Sequence, residues 1–199
     1  MSAQHGSFVL ASNKAKMRMS EFPEEIPGQI AAGVKRLGSR GYTHYSIYPI
    51  GPDVPYDEFP LPAEWIQTTG IAPDRLTVEI KQPDSAGVHR LYTIGRQPAA
   101  GENAETEVIY NGDNEYRVRP AEVLTTADAI ELFQHYYDTR SVPADWHLRE
   151  QPEFSDTAVE EHLNDQTATG DRTTSRGRAA IEEKGTSAAK SRRKPETGK

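Results

Sequence analysis

The chain has 199 residues, of which 35% are hydrophobic, 8% aromatic and 27% charged, and its formal net charge is −7. No stretch approaches the roughly 20 consecutive apolar residues that cross a bilayer as a helix. Because cysteine is absent, a disulfide framework, a thiolate metal site and a cysteine nucleophile are excluded. These features predict a cytoplasmic protein with no membrane partner.

Charge and apolar content divide the chain into three parts. Residues 1–20 mix small, polar and basic side chains without a period, and they predict a loose N-terminal leader. Residues 21–152 contain nearly all the aromatic residues and predict a single domain. Residues 153–199 hold a block of acids and then, over 172–199, nine Lys and Arg against three Glu. We predict that this tail is disordered, because it has too little apolar surface to offset the entropy of ordering it.

The first predicted elements of the domain are a helix and a strand. Over Pro27–Leu37, apolar residues recur at helical spacing on one face, and proline suits the first turn. Tyr42–Ile50 is rich in aromatic and β-branched residues and predicts a strand, in which Pro49 favours an edge position or an early end. Residues 51–75 begin with a proline-rich stretch and predict an irregular connection.

Two β-hairpins are predicted next. Apolar and polar residues alternate over Leu76–Lys81, which indicates a strand with one buried face, and Val88–Ile94 can pair back against it. A second pair is predicted from Thr106–Tyr110 and Tyr116–Val118, with Asn111 and the glycine after it in the turn.

A second helix and a short strand complete the domain. The helix is predicted over Ala127–Tyr137, and Thr125 with Asp128 forms a capping-box-like start. Trp146 and Leu148 then alternate on a last short strand. The fold class predicted is α+β, an antiparallel β-sheet or meander packed by an N-terminal and a C-terminal helix.

The search for catalytic motifs is negative. The sequence contains no GxGxxG, no phosphate-binding GxxxxGK[ST] and no GxSxG elbow. His44, His89 and His147 fall on predicted strands and could converge on a metal, but the favoured interpretation is that they flank a core with solvated tips. His135 and Asp138 have chelating spacing on a helix, without a second such pair. We predict no catalytic residue, no metal and no cofactor.

An acidic, aromatic loop is the strongest candidate binding site. Its candidate residues are Asp53, Tyr56, Asp57, Glu58 and Phe59. One interpretation is a proline-stiffened loop with solvated charges. The other is a recognition surface, because rigid aromatic side chains lose little entropy on burial and carboxylates complement a basic partner. Asp57 and Glu58 are adjacent in an extended chain and point to opposite sides, so binding is favoured over acid–base catalysis.

The basic segment Arg172–Lys199 has two possible roles. It can make weak, non-specific contacts with nucleic-acid phosphates, although it lacks aromatic residues that would stack on bases. Alternatively it only keeps the chain soluble.

Residues 118–149 resemble the C-terminal part of immunity proteins that accompany bacterial polymorphic toxins, in particular the actinobacterial type paired with deaminase-like toxins. The matching parts are a strand at Val118 and Val123, the helix Ala127–Tyr137 with its aromatic end, Pro143 and Trp146. Where the pattern has a TG-x-x-P turn, this chain has Thr139-Arg140-Ser141-Val142-Pro143. The resemblance implies a non-catalytic protein that binds and blocks a toxin.

Three functions therefore stay open. The first is an immunity-type inhibitor of a cognate toxin. The second is an accessory protein of an actinobacterium or its phage that associates with DNA or a larger assembly through the basic tail. The third is a small enzyme that uses strand histidines and carboxylates in a pocket between sheet and helices.

Overall fold

The computed structural model describes residues 7–98 and 106–154, and these form an antiparallel sheet with two helices, as the predicted α+β class requires. The strands are β1 (Phe8–Ser12), β2 (Lys16–Arg18), β3 (His44–Pro49), β4 (Trp65–Ile71), β5 (Arg75–Pro83), β6 (His89–Gly95), β7 (Glu107–Asn111), β8 (Asn114–Val118) and β9 (His147–Glu150). The helices are α1 (Ile26–Lys35) and α2 (Thr126–Thr139). Short 3-10 turns lie at Pro23–Glu25, Pro120–Glu122 and Pro152–Phe154.

Seven of these strands form one sheet in the order β2-β1-β3-β4-β5-β6-β9, and β7 and β8 form a separate hairpin. Neighbouring strands of the sheet are all antiparallel. Directly paired residues share a face, so the register assigns each side chain to one of two faces. We call them the helix face, on which α1 and α2 pack, and the hairpin face, on which β7–β8 lies.

The main core lies between the helix face and the two helices. On β5, Leu76, Val78 and Ile80 are buried there, as the alternation predicts. Each helix packs an apolar face against the same core. On α1 this face consists of Ile26, Ile30 and Val34, and on α2 it consists of Ala129, Leu132, Phe133 and Tyr136. The helix face therefore accounts for most of the buried apolar surface.

The start of α2 follows the predicted capping box. Thr125 is the N-cap residue, and its hydroxyl oxygen accepts a hydrogen bond from the Asp128 backbone N–H. The Asp128 carboxylate in turn accepts from the Thr125 backbone N–H and from Arg96. Burial opposes ionisation of Asp128, but these hydrogen bonds outweigh it and lower the pKa of the carboxyl group.

The prediction of a loose leader over residues 1–20 is wrong for the segment that follows residue 7. This segment forms β1 and β2, and β1 lies inside the sheet between β2 and β3. Phe8 and Met19 are buried in the main core, whereas Val9 and Ala11 belong to a smaller cluster on the hairpin face. Because β1 is covered on both faces, it lacks the polar alternation that would have indicated a strand.

Two further predictions need correction in the middle of the chain. Residues 51–75 are not irregular throughout, because β4 occupies the centre of the sheet between β3 and β5. Pro49 does end β3, but β3 is not an edge strand, since β1 pairs with it on one side and β4 on the other. The predicted β5–β6 hairpin is confirmed by its register.

The β7–β8 hairpin forms as predicted, with its turn one residue later. Asn111 pairs with Asn114, so the turn residues are Gly112 and Asp113, and Gly112 has a φ of 63° that suits glycine. Asn111 is buried, and its side-chain amide donates to the Thr69 hydroxyl at 2.9 Å and to a backbone carbonyl at Thr43. Asn111, which was predicted in the turn, thus connects the hairpin to the sheet by side-chain hydrogen bonds.

The predicted disordered tail falls mostly outside the described residues. Residues 153 and 154 belong to the last 3-10 turn, and the predictions for 155–199, including the nucleic-acid contact of Arg172–Lys199, lie beyond the part that the structure describes. Within the described ranges, no helix has both the length and the apolar character needed to cross a bilayer.

Candidate functional site

The loop over residues 53–59 joins β3 to β4 and is held in place by one arginine. Arg18, at the end of β2, donates hydrogen bonds to three consecutive carbonyl oxygens, those of Val54 and Pro55 at 2.7 Å and that of Tyr56 at 3.2 Å. Its guanidinium also lies 5.3 Å from the centre of the Tyr56 ring. The loop backbone is therefore fixed to the sheet edge rather than left to solvent.

The two aromatic residues of the loop have different environments. Tyr56 is 77% exposed, as a recognition surface requires. Phe59 was predicted as a second exposed aromatic, but it is half-buried and packs with Val54 and Trp65 against the smaller cluster on the hairpin face. Phe59 therefore anchors the loop, and Tyr56 is the aromatic residue that the loop presents.

A groove of about 640 Å³ separates this loop from the segment that leads into α1. Tyr56 lines one side, and Glu21 and Phe22 line the other, with Tyr137 of α2 also in the wall. Phe22 is 61% exposed, so the groove has an uncovered aromatic ring on each side. Burial, and then the neighbouring Asp138 carboxylate, raise the pKa of Tyr137, so its phenol is neutral.

Exposed carboxylates lie beside the groove, whose own lining contains one acid, Glu21, and one base, Arg18. Asp53, Asp57 and Glu58 are all exposed, and the last two directly follow Tyr56. Glu21 and Glu24 add exposed carboxylates from the opposite side of the groove. Two segments far apart in the sequence thus combine acids with an exposed aromatic residue, and their side chains can act on one partner. We call this surface, formed by residues 21–24 and 53–58 with Tyr137, the acidic groove.

Arg18, Glu21 and Phe22 were not among the residues predicted for the site. Arg18 was assigned to the predicted leader, and the other two lie at the start of the domain without a motif of their own. The signal that the sequence does contain is local: Phe22 lies between Glu21 and a proline followed by two glutamates. This is the same combination of acid, proline and aromatic that singled out residues 53–59.

The strand histidines do not converge on a metal. His44 lies on β3 and His147 on β9, and four strand spacings of about 4.8 Å separate these strands, or about 19 Å. His147 pairs with Gly95, six positions along β6 from His89, which corresponds to about 20 Å. Over residues 7–98 and 106–154, no group of three His, Asp or Glu side chains is arranged to hold a metal ion.

Comparison of this chain with protein-family models, with curated proteins and with solved structures finds no match. The likeness of residues 118–149 to immunity proteins therefore rests on the sequence pattern alone.

Proposed function

We propose that this protein is a non-catalytic binding protein whose acidic groove takes up a basic segment of a partner protein. The resemblance of residues 118–149 favours one member of this class, an immunity-type inhibitor that binds and neutralises a cognate bacterial toxin. Its partner-binding residues are Asp53, Tyr56, Asp57 and Glu58 of the predicted set, together with Glu21 and Phe22 across the groove. Phe59 is not a contact residue, because it packs against the smaller cluster on the hairpin face.

The observation that carries this proposal is the attachment of the loop by Arg18. Three hydrogen bonds from one guanidinium hold the backbone that presents Tyr56 and the acids after it. A loop with only solvated charges has no need of such attachment. A surface that is ordered before it binds loses less conformational entropy on association, which increases affinity.

Charge supports a basic partner. Residues 1–150 contain 21 Asp and Glu against 14 Lys and Arg, and exposed carboxylates lie next to each of the two exposed rings in the sequence. Lysine and arginine side chains pair with carboxylates and also lie favourably over aromatic faces. Toxins that act on nucleic acids need basic clefts to bind phosphates, so an acidic groove complements that class of partner.

Charge reversal in the loop tests the site. In the double variant Asp57→Lys with Glu58→Lys, we expect an unchanged fold, because both side chains are exposed. Association with the partner should slow, because charges at the rim of an interface act mainly on the rate of encounter. The measurement is co-expression with a toxin candidate encoded beside this gene, followed by growth rescue, co-purification and association kinetics.

A matched control changes the net charge equally at the other end of the sheet. Asp74 and Asp113 are exposed residues of the β4–β5 and β7–β8 turns, and their double substitution by lysine should leave rescue intact. If the wild-type protein neither rescues growth nor co-purifies with the candidate, the immunity interpretation is wrong. If the loop variant rescues and associates like the wild type, the acidic groove is not the contact surface.

A further inference from the structure

A second cavity, of about 420 Å³, lies between the β7–β8 hairpin and the hairpin face of the sheet. Its polar lining consists of Thr77, Glu79, Thr93, Glu115, Arg117, Arg149, Gln151 and Glu153, and its apolar lining consists of Leu91, Tyr116, Val118 and Phe154. It is separate from the acidic groove, with which it shares no lining residue. Its size is in the range of pockets that take small organic molecules.

The hairpin that forms one wall of this cavity is firmly attached. Besides the Asn111 amide, Arg75 of β5 bonds to the Glu107 carboxylate at 3.2 Å and to the Val108 carbonyl at 3.1 Å. The cavity therefore lies between two hydrogen-bonded sheets, and a ligand would meet a wall that is already formed.

The only arginine on the floor of the cavity is already neutralised. The Arg149 guanidinium makes two hydrogen bonds to the Glu122 carboxylate, at 2.5 and 2.8 Å, and a third to the Thr93 hydroxyl at 3.2 Å. Glu122 is only 1% exposed, so this is a bidentate pair with one partner fully buried. Hydrogen bonding to Glu122 raises the pKa of Arg149, and the charges of Glu122, Glu153 and Glu79 add to this. Most of the Arg149 charge is thus balanced by Glu122.

Glu79, by contrast, has no such partner. It faces Thr93 across the β5–β6 pair, and the Gln151 amide donates to its Oε1 at 2.8 Å and to the Thr93 hydroxyl at 2.7 Å. Among the described residues, no hydrogen bond reaches its Oε2. Burial raises the pKa of Glu79, and the Gln151 hydrogen bond and the Arg149 charge only partly oppose this. The lost hydration of this carboxylate is therefore compensated only in part.

A second polar group beside Glu79 also lacks a partner. Thr77 is 1% exposed and lines the cavity, and its hydroxyl has no hydrogen-bond partner within the described residues. Buried hydroxyl groups are normally hydrogen-bonded. An oxygen of Glu79 and the hydroxyl oxygen of Thr77, two positions apart on one face of β5, are thus two hydrogen-bond acceptors without a donor.

We propose that this cavity binds a small organic cation, with an ammonium group at Glu79 and Thr77 and an apolar body against Leu91, Tyr116 and Phe154. An anion would meet Glu79, Glu115 and Glu153, against which the lining has Arg117 and Arg149, the latter already paired with Glu122. An ammonium supplies the hydrogen-bond donors and the positive charge that the floor lacks. Apolar side chains on the wall accommodate the rest of the ligand.

A series of three ligands of equal size tests the charge preference. The probes are 2-phenylethylamine, which is cationic, 2-phenylethanol, which is neutral, and phenylacetate, which is anionic. We expect saturable binding of the amine alone, measured by titration calorimetry on the full chain. Methyl NMR should show shifts at Thr77 and Thr93 and none at Thr68, which faces the helices through its pairing with Val78.

Two variants locate the charge that binds. Glu79→Gln keeps the size of the side chain and should weaken amine binding by about tenfold or more, as expected when a hydrogen bond to a charged group is lost. Glu131→Gln, on the exposed side of α2, is the matched control and should bind like the wild type. Circular dichroism of each variant establishes that it is folded.

The pH dependence gives an independent measure of the same group. Glu79 must be ionised to hold an ammonium, and burial raises its pKa above the usual 4.5. Affinity for the amine should therefore fall as the pH is lowered from neutral toward 4.5, and in Glu79→Gln it should stay flat. The proposal is overturned by absence of saturable amine binding at low-millimolar concentration, by equal binding of all three probes, or by undiminished binding to Glu79→Gln.

Discussion

Gly33, in the middle of α1, leaves space for the ring of Tyr45. Glycine in a helix interior costs about 1 kcal/mol relative to alanine. A Cβ atom on Gly33 would lie 2.2 Å from the Tyr45 ring, and that ring is itself stacked on Phe133 with centroids 5.4 Å apart. The glycine allows α1 to approach the helix face closely enough to bury Tyr45.

We predict that Gly33→Ala lowers the free energy of unfolding by about 1–3 kcal/mol, because overpacking exceeds the gain in helix propensity. Gly28→Ala in the same helix is the matched control, since its Cβ would meet nothing within 4 Å, and it should raise stability by about 0.5–1 kcal/mol. Denaturant unfolding measures both. A stabilised Gly33→Ala would show that α1 can move away from the sheet at no cost.

Arg140, directly after α2, takes a backbone conformation that usually favours glycine. Its φ of 54° is in the left-handed region, where glycine is the easier residue. Its side chain makes two stabilising contacts. The guanidinium donates a hydrogen bond to the Glu64 carboxylate at 2.9 Å and lies 5.6 Å from the centre of the Phe8 ring. Arg140 thus connects the end of α2 to the β3–β4 connection and to β1.

At the scale of elements, the short strand β9 is held by the residue that precedes it. Trp146 is 5% exposed and belongs to the same core cluster as Phe133 and Tyr136. The Arg96 guanidinium also lies 3.9 Å from the centre of its ring. The indole therefore connects the last strand, the second helix and the end of β6.

We predict that Trp146→Ala lowers the free energy of unfolding by about 3–5 kcal/mol, in the range for truncation of a buried aromatic side chain. Arg96→Ala removes the cation–π contact together with the ion pair to Asp128, and it should cost about 1 kcal/mol, because the arginine is half-exposed. Both are measured by denaturant unfolding. A change below about 0.5 kcal/mol in Trp146→Ala would identify the indole as a surface residue.

The strands differ in how clearly their own residue pattern identifies them as strands. On β5 one face is apolar and the other polar, so alternation alone indicates a strand. On β1, Phe8 and Val9 are buried on opposite faces, so four consecutive residues, Phe-Val-Leu-Ala, are apolar without alternation. Such a run has no period, and only its pairing with β3 defines it as a strand.

At the scale of the whole molecule, the sheet is continuous from β2 to β9, so its N-terminal strands are part of the fold. Removal of residues 1–20 would delete Phe8, Val9 and Met19 from buried positions and would expose the edge of β3. Each such side chain contributes about 1.5–3 kcal/mol by burial, and a domain has only about 5–15 kcal/mol of net stability.

We therefore predict that a chain lacking residues 1–20 shows no cooperative thermal transition. A chain lacking residues 155–199 should unfold at the same temperature as the full chain, because the sequence predicts no core residues there. Calorimetry compares the two truncations with the full chain. Equal melting temperatures for the full chain and the N-terminal truncation would contradict the position of β1 inside the sheet, and a large loss on C-terminal truncation would contradict the predicted tail.

The candidate site could be predicted only in part. The loop residues from Asp53 to Glu58 stand out by composition, since acids, prolines and an aromatic residue occur together. Their attachment could not be predicted, because Arg18 reaches Val54 across 36 positions and no local pattern specifies that contact. The second cavity could not be predicted either, because its residues come from distant segments. Arg149 of its floor, for example, pairs with Glu122 across 27 positions.

The sequence by itself determined those features whose causes lie within a few residues: the capped start of α2, the alternating face of β5, the two hairpins and hence the α+β class. The tertiary structure alone decided where β1 and β4 lie in the sheet, which aromatic residue of the loop is exposed, and which charges are buried together. The physical reason is range. Capping, turns and periodicity act between neighbours in the chain, whereas burial depends on residues that folding brings together from distant segments.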